Sequence, residues 1–364
     1  MAKDYQFIDI QASGPGIIVA AFDNQVAYCT ASGASVTARV VAAVRDLLGR
    51  GAGDDGGGAV LARIRDWPGA PLADALPLRI AGGIHALQLS GAAPQLKAIY
   101  HDQTGVDDAA IVAAALHDHE AELLPWLDGP PQTNEGGRSA NFIAAMLWLA
   151  DQGLMPRFQC LEIGSSAGIN LMLARYHYNL AGVEVGPEPG AMRFVPEWRG
   201  NPPPDRAIEI TSAKGCDVAP VDLTDPAQAL RLRAYIWPEH TVRFERMAAA
   251  VAEAAKSPPD LVQMNAADFV ESELAKPQDA GITRVLMHSI VWQYVPADQQ
   301  ARVTAAMEVA GAAATTERPL AWISLEANRV LHLHELVVRH WPGGDEAALL
   351  ARAHPHGATI DWLI

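Results

Sequence analysis

The sequence predicts an α/β protein in which a doubly wound parallel sheet follows an all-helical N-terminal domain. Up to about residue 155, apolar residues recur at helical spacing. After Pro156, short apolar runs rich in β-forming residues alternate with helical stretches, the pattern of a parallel sheet covered by helices. The 364 residues, half of them apolar, suffice for two ordinary domains. We therefore expect a helical domain over residues 1–155 and an α/β domain over residues 156–364.

The N-terminal half shows helix patterns and no strand pattern. Its helical stretches place apolar residues three or four positions apart. They are ASVTARVVAAVRDLLGR (34–50), LADALPLRIAGGIHALQL (72–89), DDAAIVAAALHDHEAELLPWL (107–127) and SANFIAAMLWLADQG (139–153). GAGDDGGGAV (51–60) predicts a surface turn between the first two helices.

The C-terminal half alternates strand and helix patterns. The strand candidates are FQCLEIG (158–164), DLVQMNA (260–266), ITRVLMHSI (282–290) and LAWISLEA (320–327). The helix candidates are GINLMLARYHY (168–178), PEHTVRFERMAAAVAEAAK (238–256) and PADQQARVTAAMEVAG (296–311). HELVVRHWPGG (334–344) and HGATIDWLI (356–364) are expected to form a final antiparallel pair. Residues 179–206, rich in Gly and Pro, are expected to be an insertion or lid.

The sequence argues against several kinds of partner. Lys plus Arg total 27 against 42 Asp plus Glu, a formal net charge of −15, so nucleic acid is not an expected partner. No apolar run approaches the roughly 20 residues that span a bilayer, and MAKDYQFIDI lacks a signal pattern. We expect a cytoplasmic protein that does not bind membranes; nothing in the sequence indicates its oligomeric state. Cys29, Cys160 and Cys216 form no C-x-x-C pair, so neither a disulfide framework nor a zinc ribbon is expected.

The stretch FQCLEIGSSAGINLML, which begins at Phe158, supports two interpretations. Gly164 to Gly168 fit G-x-S-x-G, the elbow that presents a serine nucleophile, here Ser166. They also fit a strand, glycine turn and helix that hold a nucleotide-like cofactor. The first interpretation is disfavoured, because the turn follows the first strand of the sheet and no HGGG-type oxyanion loop precedes it.

The cofactor interpretation accounts for more residues. Gly164 and Gly168 lack a Cβ, so main chain can approach a ligand closely. The helix predicted to follow would offer unpaired N–H groups to a carboxylate. Glu162, two residues before the first glycine, could pair with an amino group, which S-adenosylmethionine has and a dinucleotide lacks. A tight turn without any ligand is the alternative.

LEIGSSAG resembles the first motif of class I S-adenosylmethionine-dependent methyltransferases, E/D-x-G-x-x-x-G. A wider set of segments resembles one bacterial family, domain of unknown function 2332, over nearly the whole chain. These segments are HALQLSGAAPQL, QTNEGGRSA, LEIGSSAGINL with RYHY, GCDVAPVDLTDP, AYIWPEHTVRFERM, VLMHSIVWQYV and ISLEAN. The resemblance implies a Rossmann-like methyltransferase core with S-adenosylmethionine as cofactor.

That resemblance also implies cofactor-binding residues along the strand ends. The set is Glu162, Gly164, Ser165, Ser166, Gly168, Asn170, Asp217 and Asp268. An acidic residue after the second strand would hold the ribose; Asp217 in GCDVAP is preferred to Glu184 in AGVEVG. Asp268 would lie beside the adenine, or would instead cap the following helix.

Three residues are candidates for substrate chemistry. His288, at the end of the fourth strand, could act as a general base, or could be an ordinary hydrogen-bonded histidine. Tyr294, with Trp292, could shape a pocket. Arg138, in NEGGRSAN (134–141), could bind a substrate carboxylate from a loop that closes over the cofactor. The alternative is a helix N-cap with a local Glu–Arg pair on the surface.

No metal site is predicted. In HDHE (117–120), adjacent residues on a helix point in different directions and cannot converge on an ion. HLHE (332–335) is a weaker case, since on a strand His332 and His334 would share one face.

The function expected is methyl transfer from S-adenosylmethionine to an unknown small molecule, with the N-terminal domain capping the active site. The alternatives are a methyltransferase-fold protein that binds an adenosyl ligand without catalysis, and a serine hydrolase that uses Ser166.

Overall fold

The computed structural model describes residues 11–50, 58–331 and 333–364. Residues 1–10 and the turn predicted around residues 51–57 lie outside the described residues. The chain divides into two compact units. The first comprises residues 1–133 and 225–245, and the second comprises residues 134–224 and 246–364.

Up to Asp151 the regular elements of the described chain are helices, and beyond it strands and helices are interspersed. The α-helices are α1 Pro15–Ala31, α2 Ser35–Gly49, α3 Gly58–Arg65, α4 Leu76–Ser90, α5 Lys97–Tyr100, α6 Asp108–Asp118, α7 Glu120–Leu123, α8 Ser139–Asp151, α9 Pro226–Ala234, α10 Thr241–Lys256, α11 Ala266–Leu274 and α12 Ala297–Ala312. The strands are β1 Arg157–Ile163, β2 His177–Leu180, β3 Val183–Val185, β4 Arg193–Phe194, β5 Glu197–Arg199, β6 Glu209–Asp217, β7 Asp260–Gln263, β8 Thr283–Ser289, β9 Leu320–Asn328, β10 Leu333–Trp341, β11 Gly344–Ala353 and β12 Thr359–Trp362. Short 3₁₀ helices occupy Pro94–Leu96, Leu124–Leu127, Gly136–Arg138, Ile169–Arg175 and Trp292–Tyr294.

Among the described residues of the first unit, the regular elements are all helices. In its core, the apolar face of α2 packs against α4 and α6. Val40, Val44 and Leu47 on this face are almost fully buried. Asp107 begins α6 by accepting a hydrogen bond from the Ala110 N–H, so the helix starts where an acidic cap residue stands. A carboxylate at that position stabilises the first turn of the helix.

The second unit is built on a nine-stranded sheet with the order β5-β12-β11-β10-β9-β8-β1-β6-β7. Five neighbouring strands, β9-β8-β1-β6-β7, are parallel. All seven residues of β8 are buried, as expected for a central parallel strand covered on both faces. The expectation of an α/β chain with a large, largely parallel sheet is confirmed.

The predicted C-terminal strand pair is wrong in its pairing. β11 lies between β10 and β12 and forms antiparallel ladders with both, so the two predicted strands are not neighbours. The sequence of β11, GDEAALLARA, is rich in alanine and charge, a composition typical of helices rather than strands. Its pairing on both sides, with Leu350 and Ala351 fully buried, outweighs that local preference.

The helix predicted over residues 168–178 is also wrong. The chain forms a seven-residue 3₁₀ helix and then enters β2 of a small three-stranded sheet with the order β3-β2-β4. Two buried tyrosines explain the change: the Tyr176 hydroxyl donates to the Ile169 carbonyl (2.7 Å), and the Tyr178 hydroxyl donates to the Leu173 carbonyl (3.0 Å). They satisfy carbonyls that a longer helix would have bonded internally.

None of the helices in the described part of the chain combines the length and apolarity needed to cross a bilayer.

Candidate functional site

The turn after β1 lies at the edge of the sheet where the strand order reverses. β1 is flanked by β6 on one side and by β8 on the other. In open α/β sheets, ligands bind outside the carboxyl ends of the strands at such a reversal. Gly164, Ser166 and Gly168 have φ of 66°, 53° and 69°, so this turn uses the left-handed region three times in five residues.

The two glycines of the turn approach the protein's own side chains. A Cβ on Gly164 would overlap Val291, and a Cβ on Gly168 would lie 2.8 Å from Pro259 Cγ. Their need for glycine is therefore explained by backbone conformation and internal packing.

Asp217 holds the turn from the end of the neighbouring strand. The Ser166 N–H donates to Asp217 Oδ2 (2.9 Å), and the Ala219 N–H donates to Asp217 Oδ1 (2.9 Å). The Ser166 carbonyl accepts from the Val221 N–H (3.0 Å), which ties the turn to the segment after β6. The Ser166 hydroxyl is buried without a hydrogen-bond partner among the described residues.

Glu162 is a buried carboxylic acid just before the turn. Its side chain is 1% exposed, and burial raises its pKa to about 7, against lowering contributions that include hydrogen bonds from Asn170 and Ser165 and the charge of Arg138. Asn170 Nδ2 donates to Glu162 Oε1 (3.0 Å). Within the described chain, the remaining side-chain oxygens, Glu162 Oε2 and Asn170 Oδ1, are buried without a hydrogen-bond partner.

Asn134 clamps the turn from a segment far away in sequence. Its Nδ2 donates to the Ser165 carbonyl (3.0 Å), and its Oδ1 accepts from the Ile169 N–H (2.9 Å). Asn134 is 6% exposed, so both bonds are shielded from water. The segment NEGGRSAN thus contacts the predicted cofactor turn directly.

Arg138 lies in the same segment and is 4% exposed. Its Nε donates to the Pro355 carbonyl (2.8 Å) in the loop between β11 and β12. Its positive charge lowers the pKa of His334 on β10, after the larger effect of burial. Arg138 therefore stands among the polar groups of this sheet edge. His332, the other half of the predicted histidine pair, lies outside the described residues.

His288 lies at the end of β8 and is 2% exposed. Its Nδ1 is 2.7 Å from Glu326 Oε1 on β9, its ring stacks on Trp292, and its Nε2 is buried without a partner among the residues described. The register pairs Glu162 with Met287, so Glu162 and His288 point to opposite faces of the sheet.

Three other candidates have different surroundings. Tyr294 is 66% exposed, because the 3₁₀ turn directs Trp292 into the core and Tyr294 outward. Asp268 lies in the first turn of α11, where its carboxylate pairs with Arg302 (2.7 Å) and its pKa is lowered chiefly by that arginine. Glu184 belongs to the small sheet and lies 2.6 Å from His177 Nε2.

A cavity of about 300 Å³ adjoins the turn. Its lining includes Val221, whose N–H bonds to Ser166, and Pro259, which packs on Gly168. The rest comes from the segment after β6, from Ala254 of α10, from Pro258 and from Leu261 of β7. This volume is at the lower end of the range for small-molecule sites.

Sequence reasoning missed the partners of the predicted residues. Glu326, Asn134 and Val291 each contact a candidate residue from another part of the chain. ISLEAN and NEGGRSAN are recognisable as segments, but the spacing of their residues gives no indication of which side chain they meet.

These features define an α/β protein with a cluster of buried polar groups at the carboxyl edge of its sheet. A family model described as "Uncharacterized protein conserved in bacteria (DUF2332)" matches residues 19–362, and the chain belongs to that family. The family expected from the sequence is thus confirmed. No curated protein and no solved structure matches the chain.

Proposed function

We propose that the protein binds S-adenosylmethionine at the edge formed by β1 and β6 and transfers its methyl group to a small molecule. The observation that carries this proposal is the group of buried acceptors on one strand-and-turn segment that lack partners among the described residues: Glu162 Oε2, Asn170 Oδ1 and the Ser166 hydroxyl. Buried polar atoms nearly always have partners, and each one without a partner costs about 1–3 kcal/mol. Such a concentration at a strand-order reversal favours a ligand site.

The topology supports the same proposal. Numbered along the chain, the parallel strands β1, β6, β7, β8 and β9 lie in the spatial order 3-2-1-4-5, with β1 first and β9 fifth. That is the order of a doubly wound nucleotide-binding sheet. Asp217 ends the second of these strands, while Glu184 belongs to a separate sheet. Asp217 is therefore the residue we assign to the ribose hydroxyls.

The side chains present fit the polar ends of the cofactor. Glu162 and Asn170, whose side chains are hydrogen-bonded to each other, each keep an unpartnered acceptor that suits its ammonium group, and an ionised Glu162 would gain a compensating charge. The 300 Å³ cavity beyond Ser166 suits its ring system. The glycine faces do not contribute to this fit, because Val291 and Pro259 fill them. Asp268 is left out of the proposed site, since Arg302 engages it.

When bound, the cofactor supplies an electrophilic methyl group on a sulfonium. The chain's own contribution would be to position the acceptor and to take its proton. Glu326 accepts from Nδ1 of His288, which leaves Nε2 as the proton acceptor. The ring nitrogens are thereby given distinct roles. Arg138 is the proposed contact for an anionic group on the substrate.

Calorimetric titration with S-adenosylhomocysteine tests the proposal. Asp217→Asn is expected to weaken binding at least about tenfold, roughly 1.4 kcal/mol, and Glu162→Gln to weaken it similarly. Glu184→Gln is the matched control and should bind as the wild type does. Absence of binding by the wild type would refute the proposal. Binding without methyl transfer to any acceptor would instead favour the non-catalytic alternative.

The serine-hydrolase alternative has less support. Ser166 has the positive φ of a nucleophile elbow, yet its hydroxyl has no hydrogen-bond partner in the described part of the chain and so no base there to activate it. Labelling of the wild type, but not of Ser166→Ala, by a serine-directed phosphonate would favour that function.

A further inference from the structure

Arg79 of α4 is a buried cation in the helical first unit. The residue is 7% exposed, and its guanidinium stands 5.0 Å from the centroid of the Trp67 ring. Nε donates to the Asp74 carbonyl (2.7 Å), and Nη1 donates to the Leu127 carbonyl (2.9 Å). A guanidinium has five N–H donors, so most of its donor capacity is left over.

No carboxylate of the described residues lies within 4.0 Å of the Arg79 guanidinium. Buried charges are normally paired, since removing a charge from water is costly. Arg284, the buried arginine of β8, shows how hydrogen bonds usually compensate a buried guanidinium. Its three nitrogens donate four hydrogen bonds, to Gln159 Oε1 and to three backbone carbonyls. Nη2 of Arg79 makes none to the described residues.

Arg79 lines a cavity of about 370 Å³, the Arg79 cavity, together with Arg63, Trp67, Pro68, Leu127 and three aspartates. The other charges of the lining are already compensated or solvated. Arg63 pairs with Asp128 (2.6 Å), the Asp74 carboxylate accepts from Trp67 Nε1 (2.8 Å), and Asp66 is exposed to water. Among the described residues, Arg79 is thus the lining cation that lacks an anionic partner.

We propose that the Arg79 cavity is a second ligand site, which binds a small organic carboxylate with an apolar body. The planar guanidinium, with free N–H groups on Nη1 and Nη2, matches a carboxylate in a two-point contact. Trp67 and Pro68, which are partly or fully exposed, provide apolar surface for the rest of the ligand. All the lining residues belong to the first unit, so this site is independent of the one proposed for S-adenosylmethionine.

Binding of benzoate to the full chain, measured by ligand-detected NMR, tests this site. Benzamide, a neutral molecule of the same shape, is the matched control ligand. Benzoate is expected to bind and benzamide not to bind. Arg79→Lys keeps the positive charge but loses the planar guanidinium that contacts a carboxylate through two N–H groups. This variant should weaken benzoate binding at least about tenfold. Arg45→Gln removes an arginine of α2 that is paired with Asp23 and Asp46, and should leave binding unchanged.

If Arg79→Lys fails to fold, a second variant and the comparison of ligands still test the proposed carboxylate site. Pro68→Trp places a large ring in the lining and should abolish benzoate binding while Arg79 is retained. Equal binding of benzoate and benzamide, or undiminished benzoate binding by either cavity variant, would overturn the proposal. So would binding of inorganic phosphate without binding of benzoate.

Discussion

Glu326 Oε1 lies 2.7 Å from His288 Nδ1, joining the ends of the adjacent parallel strands β8 and β9. The same oxygen accepts the N–H groups of Val291 (3.1 Å) and Trp292 (3.2 Å). One carboxylate oxygen therefore fixes both the imidazole and the turn that follows it. Because Val291 packs on Gly164, this bond also supports the proposed cofactor turn.

Glu326→Ala should be strongly destabilising. Three donors would lose their acceptor, and the expected loss is about 2–4 kcal/mol in the free energy of unfolding. Glu326→Gln keeps one oxygen and should lose about half as much. Urea unfolding followed by tryptophan fluorescence suits this test, since Trp292 and Trp322 pack near His288. Glu308→Ala removes an exposed partner of Arg339 and should change little; equal losses in the two alanine variants would contradict the expectation.

Glu162→Gln should change how stability depends on pH. The folded protein raises the pKa of Glu162 from 4.5 to about 7, so between these values the folded state keeps a proton that the unfolded state has released. The contribution of Glu162 is full below about pH 4.5 and is lost as the pH rises through about 7. Relative to the glutamine variant, the wild type should lose on the order of 3 kcal/mol over this interval.

Chemical denaturation at several pH values measures this difference. Ser272→Ala, an uncharged change on α11, should show a difference from the wild type that is independent of pH. A flat difference for Glu162→Gln as well would mean that burial does not raise this pKa.

Gly164→Ala should cost more than Gly153→Ala. Both glycines have positive φ, 66° and 89°, so each variant carries about 1–2 kcal/mol of backbone strain. A Cβ on Gly153 meets nothing within 4 Å, whereas one on Gly164 would overlap Val291. We expect a total of about 3 kcal/mol or more for Gly164→Ala.

A double-mutant cycle measures the energetic cost of the overlap between a Cβ at position 164 and Val291. Val291→Ala should be destabilising in the wild type but should recover part of the loss in Gly164→Ala. Additive effects would show that the two residues are not in tight contact.

Asn134 variants should separate its two hydrogen bonds. Asn134→Asp keeps the acceptor for the Ile169 N–H but replaces the donor to the Ser165 carbonyl with a negative oxygen. Asn134→Ala loses both bonds. In amide hydrogen exchange, Ile169 should remain protected in Asn134→Asp and lose protection in Asn134→Ala. Equal protection in both variants would argue against the clamp.

The parts of the fold that the sequence predicted are those with strong local patterns. β1, β8 and β9 are buried apolar runs, and α10 and α12 have helical periodicity, so each could be located from its own residues. β11 and the segment of Ile169–Arg175 could not, because long-range pairing and two tyrosine hydroxyls override their local preferences.

The sequence allowed several residues of the candidate site to be predicted, but not the residues that they contact. Asp217 stands at the end of the strand beside β1, as its sequence pattern predicts. The pairing of His288 with Glu326 depends on β8 and β9 being neighbours, and the exposure of Tyr294 depends on the phase of a three-residue turn. Neither can be derived from spacing alone.

The nine-stranded sheet ends in very short outer strands. β5 has three residues and includes Glu197 and Arg199, and β7 has four and begins at Asp260. Long, flat outer strands recruit further chains and seed aggregates, whereas short charged ones resist it. Residues 197–199, within the predicted insertion, thus give the sheet a short charged outer strand that guards against fibre growth, and deleting them would expose the edge of β12 to other molecules.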